Sequence, residues 1–152
     1  MKVCKAGATM QDINTAVRNA VTKGLKDLGI IKADEDNRKY YPHSCCHHIG
    51  LDVHDRGPRG ALPENTVITI EPGIYIPDNA DCDKKWWGIA VRIEDDYLVT
   101  KDGYELLSAI APRTVVDIES LMKQSSALDD FVLPDLDRAA DLEKGKSKKK
   151  TN

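Results

Sequence analysis

Long apolar runs are missing from this chain. Nowhere do about 18 consecutive residues read as a membrane span, and the N-terminus has no secretory h-region. A dominant charge sign is missing as well: 22 basic against 25 acidic residues leave a net charge of -3, without the overall field that nucleic-acid binders carry. Neither membrane nor nucleic acid is therefore an expected partner. Cysteine is scarce, with four residues at 4, 45, 46 and 82 and no C-x-x-C spacing, which fits neither a disulfide framework nor a zinc knuckle. Reduced thiols in an intracellular protein are expected, cytoplasmic first and mitochondrial if a targeting segment precedes Met1. What is present is 152 residues at 41% hydrophobic content, enough for one globular domain with a core of its own.

Thr9 is placed to cap a helix whose apolar positions Ile13, Ala16, Val17, Ala20, Val21, Leu25 and Leu28 keep three-to-four spacing, with Asp12 as capping-box partner and Gly29 as the stop. Residues 30–42 read as an irregular or weakly helical link. His47 to His54 alternates around Ile49, Leu51 and Val53, which predicts a turn that becomes a strand. A loop over residues 56–63 leads to a β-branched strand from Thr66 to Ile70 that breaks at Glu71-Pro72-Gly73. After a polar loop over residues 77–85, strands are expected from Ile89 to Ile93 and from Tyr97 to Thr100, flanking Glu94-Asp95-Asp96. A turn at Lys101-Asp102-Gly103, a strand from Glu105 to Ile110 and a short helix from Pro112 through Met122 follow. Residues 1–124 thus form the folded part. Residues 125–152, ending in a lysine-rich run, read as a disordered tail.

All four histidines, His43, His47, His48 and His54, fall within one twelve-residue window. Any one of them alone reads as a satisfied core or surface histidine; together they point to a site. Glu71 and Glu94 each sit in or beside an apolar strand run, where a carboxylate is costly without a compensating cation. A capping contact at the strand break would account for Glu71 and an ion pair with Arg92 for Glu94. Metal ligation accounts for both with one cause.

Three linked stretches carry a family resemblance: His43-x-x-x-His47-x-x-Gly50-Leu51-x-Val53-His54, then Thr69-Ile70-Glu71-Pro72-Gly73-Ile74-Tyr75, then Arg92-Ile93-Glu94-Asp95-Asp96. In that order they resemble the C-terminal half of the catalytic domain of Xaa-Pro aminopeptidases, the aminopeptidase P and prolidase group of metallopeptidases. The resemblance implies an α+β chain, the C-terminal half of the pita-bread fold shared with creatinase, with a mostly antiparallel sheet and flanking helices. It implies removal of the first residue of a peptide with proline at position two. It also implies two divalent ions, most often manganese with cobalt or zinc as alternatives, held by two aspartates, one histidine and two glutamates.

His47, Glu71 and Glu94 match the last three of those ligands; His48 is a rival to His47 by adjacency, but the spacing to Gly50 favours His47. Glu71 matches the proton-shuttling glutamate, His43 and His54 the histidines that line the cleft and stabilise the intermediate, and Tyr75 and Arg92 the substrate-side residues behind the ligands. The family's two aspartates fall before the opening helix, and residues 1–42 hold no matching strand pair: Asp12, Asp34 and Asp36 sit in a helix turn and a link. The chain alone is therefore expected to be an inactive or nearly inactive fragment. Such a half predicts pairing with a complementary N-terminal half, or a homodimer formed through an exposed sheet edge. The rival readings are prolidase, methionine aminopeptidase and a non-catalytic pita-bread module that binds peptide or protein.

Overall fold

Thr9 opens the long helix α1, Met10–Asp27, with its hydroxyl accepting from Asp12 N (3.1 Å) while the Asp12 carboxylate accepts from Thr9 N (2.8 Å). That reciprocal box satisfies two of the helix's orphan donors. At the other end Gly29 takes φ +69°, and the bonds Gly29 N to Lys26 O (2.9 Å) and Ile30 N to Leu25 O (2.8 Å) close a Schellman motif. Both expected ends are thus found. The computed structural model describes residues 2–126 and 128–132 of the chain. These divide at Ala111/Pro112 into two units.

In the first unit, the buried face of α1 is narrower than its apolar stripe. Ile13, Val17 and Leu25 are buried, but Ala20 and Leu28 are exposed, and the face includes buried Thr22, which accepts from Asn37 Nδ2 at 2.6 Å. Strands β1 (Val67–Ile70), β2 (Gly73–Tyr75), β3 (Ala90–Arg92), β4 (Asp95–Val99) and β5 (Tyr104–Leu106) form two antiparallel sheets, in the orders β1-β4-β5 and β2-β3. Ile70 pairs with Asp95 and Gly73 with Arg92, so one register runs through both sheets, and Ile93 N to Pro72 O (3.4 Å) bridges the gap. β1 and β2 are one bent strand, as are β3 and β4. The break lies at Pro72, which has no amide hydrogen to return the bond.

Ile13, Val17, Tyr41, Ile68, Ile70 and Val99 make the core between α1 and β1-β4. A second cluster of Leu25, Ile30, Ile31, Tyr40 and Ile76 is backed by Trp86 and Trp87. The strands near residues 67–70 and 90–92 lie where expected, and the link over residues 30–42 contains a 3-10 turn, Asp34–Lys39. A second 3-10 turn, Lys84–Trp86, ends the loop after residue 77.

Three expectations need correction. Residues 49–54 form a turn and not a strand, with Leu51 and Val53 exposed. The Asp55 carboxylate accepts from Leu51 N (3.0 Å), and Asp55 N donates to His48 O (3.1 Å), so local bonds curl the segment. The extended piece lies earlier: Glu71 N to Cys45 O (2.6 Å), Thr69 N to His47 O (2.9 Å) and Ile49 N to Val67 O (3.4 Å) lay residues 45–49 along β1. The strand expected through Ile110 stops at Leu106, because Ser108 folds back, donating to Asp95 Oδ1 (2.6 Å) and accepting from Asp96 N (3.1 Å), and Ile110 is fully exposed. Those same contacts draw Asp95 and Asp96 into β4, which begins two residues before Tyr97.

The second unit holds α2, Val115–Met122, capped by Thr114 accepting from Asp117 N (3.1 Å), so the helix begins three residues after the expected start at Pro112. Of the expected tail, residues 127 and 133–152 lie outside the described residues.

Two predictions follow from α1. Gly29 has open space around its Cβ position, so Gly29→Ala meets only the cost of a left-handed L-residue, and chemical denaturation should show a loss of about 1 kcal/mol. The Asp12 carboxyl is held below its ordinary range by the Thr9 hydroxyl first and the Thr9 amide second. Its contribution is therefore present above the unfolded carboxyl value and is lost as pH falls through the lower folded value. Thr9→Ala should lower the denaturation midpoint at pH 7, and the gap from wild type should narrow in acid.

Candidate metal centre

The shared register decides where the charged side chains meet. Pairing of Ile70 with Asp95 makes Glu71 and Glu94 the next residues opposite one another, and the bond from Ile93 N to Pro72 O marks theirs as a non-hydrogen-bonded pair, in which side chains stand closest. Two carboxylates directly opposed in this way repel. Residues 71, 73 and 75 share a face by the two-residue period, as do 92 and 94. His47, bonded through its carbonyl to Thr69 N, falls on that face too.

One ligand atom from each of His47, Glu71 and Glu94 lies within 4.8 Å of the other two; His47 and Glu71 are half-buried and Glu94 is exposed. His47 Nε2 is 3.1 Å from Glu71 Oε1, and its Nδ1 is 2.9 Å from the His48 carbonyl oxygen. A carbonyl only accepts, so Nδ1 donates there, and Nε2 is the ring nitrogen turned toward the carboxylates. His48 is not a rival ligand. Its ring lies over Gly57, where an added Cβ would come within 2.2 Å of it, and its backbone bridges Asp55 and Ile68, so it seats the loop of residues 49–57.

Behind the triad runs a chain of hydrogen bonds. Arg92 Nη1 is 3.5 Å from Glu71 Oε2, Arg92 Nε donates to Tyr75 Oη (2.7 Å), and Tyr75 Oη meets His43 Nε2 (3.1 Å). His43 Nδ1 sits on the Ser44 carbonyl oxygen at 2.7 Å, so its Nε2 accepts from the tyrosine. The Tyr75 bond first, then the charges of Glu71 and Glu94, hold the guanidinium above its ordinary range. Tyr75 Oη occupies the space over Gly73, where a Cβ would lie 2.3 Å from it. Only glycine leaves that seat.

A cavity of about 360 Å³ opens over these groups, lined by His43, Cys46, His47, His54, Glu71 and Arg92 among others, with the His54 ring edge-on to His47 at 4.5 Å. All seven residues singled out in the sequence thus belong to one neighbourhood. Asp12, Asp34 and Asp36 are engaged elsewhere, with Thr9, Lys26 and Lys39. A larger cleft of about 660 Å³ lies between α1 and the Asp34–Lys39 turn, but its charges answer one another, as Lys26 does Asp34 at 2.8 Å, and no histidine faces it.

The sequence did not reveal three supports. Asn14 Oδ1 accepts from Cys45 N (2.8 Å) while its Nδ2 donates to Met10 O (2.9 Å) and Cys46 Sγ (3.3 Å), tying α1 to the segment that bears His47. The only sequence signal was a polar amide beside Ile13. Gly73 as the seat of Tyr75, and Cys46 as part of the cavity wall, needed the register to be known.

Residues 1–101 match metallopeptidase family M24. The chain is 43% identical over 136 residues to human Xaa-Pro aminopeptidase 3, covering 83% of this chain and 27% of that protein. The structure of the aminopeptidase PepP of Pseudomonas aeruginosa is similar at a TM-score of 0.73 and 39% identity, over 79% of this chain and 30% of that one. The structure of aminopeptidase P from E. coli with the inhibitor Pro-Leu is similar at a TM-score of 0.72 and 34% identity, over 80% and 30% of the two chains. The chain spans less than a third of the length of each. With the match over residues 1–101 and the likeness of fold at these identities, this chain belongs to metallopeptidase family M24 and has the α+β architecture of the C-terminal part of its pita-bread catalytic domain.

Proposed function

We propose that this chain supplies the C-terminal part of the catalytic domain of a metal-dependent aminopeptidase that releases the first residue of a peptide with proline in second position. The observation that carries this reading is the convergence of His47, Glu71 and Glu94 within 4.8 Å from three separate segments. The names of the similar aminopeptidases support the substrate class. The donor set fits a divalent cation: the bond from Nδ1 to the His48 carbonyl turns His47 Nε2 toward the carboxylates, and two opposed carboxylates share one face with Arg92 as counter-charge. One imidazole with oxygen donors favours manganese, with cobalt or zinc as alternatives. A divalent ion held there supplies Lewis-acid polarisation of the scissile carbonyl and acidifies water.

The chain's own groups divide the remaining work. Glu71 takes a proton from the attacking water on its carboxylate and returns it to the leaving amine, with Arg92 keeping the carboxylate in place. His43 and His54 line the cavity where the substrate carbonyl would lie, and Tyr75 helps orient the His43 ring. Three ligands hold one ion weakly, and the chain by itself turns over little or nothing.

Completion comes from a complementary N-terminal part of the catalytic domain bearing the two aspartates. Its seat is the apolar groove of about 610 Å³ lined by Val3, Val17, Val21, Ile70, Pro72 and Ile93, whose strand residues alternate with Glu71 and Glu94 along the same ladder. Exposed Val91 and Ile93 extend that apolar surface along β3. An intracellular compartment belongs to the same proposal, in keeping with four free cysteines; among the described residues no helix is long and apolar enough to cross a membrane.

Titration of the chain with Mn2+, followed by electron paramagnetic resonance, should show one site that His47→Ala or Glu71→Gln weakens by at least about tenfold. Unchanged affinity in both variants would remove the metal centre from this reading. The complete polypeptide carrying these residues should release the first residue of an Xaa-Pro-Yaa tripeptide in the presence of Mn2+. Metal binding without turnover of any Xaa-Pro peptide would leave the site standing and sink the peptidase assignment.

A further inference from the structure

We infer that Asn14 is a positioning residue for the metal centre: from the second turn of α1 it fixes the Cys45 peptide, and through that peptide the places of His47 and Glu71. The consequence for metal rests on the ligand reading above; the fixing of the backbone does not. Asparagine is a costly choice inside a helix, because its propensity is weaker than that of alanine or leucine. Here both ends of its carboxamide are engaged at once. Oδ1 accepts from Cys45 N (2.8 Å), and Nδ2 donates to Met10 O (2.9 Å) and Cys46 Sγ (3.3 Å). A backbone amide only donates and a carbonyl only accepts, so the neighbours settle which way the carboxamide faces. A carboxylate in its place would set lone pairs against Met10 O. An apolar side chain would leave the amide of Cys45, a buried core residue, without its partner.

Cys45 is where the two ligand-bearing segments meet. Its carbonyl accepts from Glu71 N (2.6 Å), so the residue that Asn14 holds in turn holds one ligand directly. Two residues on, His47 is laid along β1, its carbonyl accepting from Thr69 N (2.9 Å) and its amide donating to Thr69 Oγ1 (3.3 Å). Residues 45–47 are therefore tied to β1 by backbone bonds and to α1 by Asn14. The Cys46 thiol adds a weaker contact to Met10 O at 3.8 Å.

Metal–ligand distances are held to about 0.2 Å. A Cys45 peptide free to turn would carry Glu71 and His47 beyond that margin. Asn14 is not among the residues that line the cavity, so its effect on the ligands passes through the backbone.

The test measures Mn2+ affinity of the full chain by electron paramagnetic resonance in wild type, Asn14→Ala, Asn14→Leu and Thr22→Val. Amide hydrogen exchange of the metal-free chain is followed alongside by NMR. Alanine and leucine both raise the helix propensity of α1, so a loss in either Asn14 variant comes from the missing bonds. Leucine also fills the volume that alanine leaves empty. Thr22→Val breaks a different buried bond of the same helix, from Asn37 Nδ2 at 2.6 Å, and is the control for general destabilisation. Mn2+ affinity should fall by at least about tenfold in the Asn14 variants and keep its wild-type value in Thr22→Val. Exchange in the Asn14 variants should speed up at the Cys45 and Glu71 amides more than at those of β4. Unchanged Mn2+ affinity in either folded Asn14 variant overturns the inference, as does an equal loss in Thr22→Val. Absence of Mn2+ binding by the wild-type chain would count against the ligand reading instead. Exchange then decides the positioning role: selective exposure of Cys45 and Glu71 upholds it, and uniform acceleration across the core overturns it.

Discussion

Two carboxylates facing each other across a non-hydrogen-bonded rung of an antiparallel ladder are the constraint on which the rest of this structure turns. Glu71 and Glu94 occupy that rung because one register runs from β1-β4 into β2-β3 and is interrupted only where Pro72 lacks an amide hydrogen. Like charges so placed are unfavourable without a cation. The protein answers with Arg92, two residues from Glu94 on the same face, and with the His47 imidazole, whose Nε2 points at the pair. Lacking a full counter-charge of its own, the rung is matched to a divalent ion.

Around this rung the supporting groups are arranged by packing. Gly73 lies between Glu71 and Tyr75 on one face, and its missing side chain lets the tyrosine hydroxyl reach both Arg92 and His43. The proton on His43 is fixed by the Ser44 carbonyl and the proton on His47 by the His48 carbonyl, so two rings of the same type are oriented by the same device. Asn14 carries the influence of α1 into the site by holding Cys45 and Cys46. A helix and a sheet edge are thereby registered to one another within about a hydrogen-bond length.

Where sequence patterns misled, a side chain had outcompeted the ladder. Leu51 and Val53 alternate as a strand should, yet Asp55 captures the Leu51 amide and leaves both apolar groups in solvent. Ser108 ends β5 early in the same manner, by bonding to the start of β4. Short polar side chains that bond nearby backbone are invisible to hydrophobic periodicity. The three-residue β2 escaped notice because a run that begins with Pro72-Gly73 reads as a turn, and only its partner strand reveals it as extended.

Residues alone were enough to determine α1 with both its caps, the break at Pro72, the three candidate ligands and the family to which they point. Each of those is written in local chemistry: a hydroxyl three residues before a carboxylate, a glycine after an apolar stripe, a proline ending a β-branched run. The tertiary structure alone decided that Glu71 and Glu94 share a rung, that the Tyr75 hydroxyl sits over Gly73, and that Cys46 lines the cavity. Those outcomes depend on strand register and on which backbone amide each short side chain captures. Such pairings join residues far apart in the chain, where no sequence period can express them.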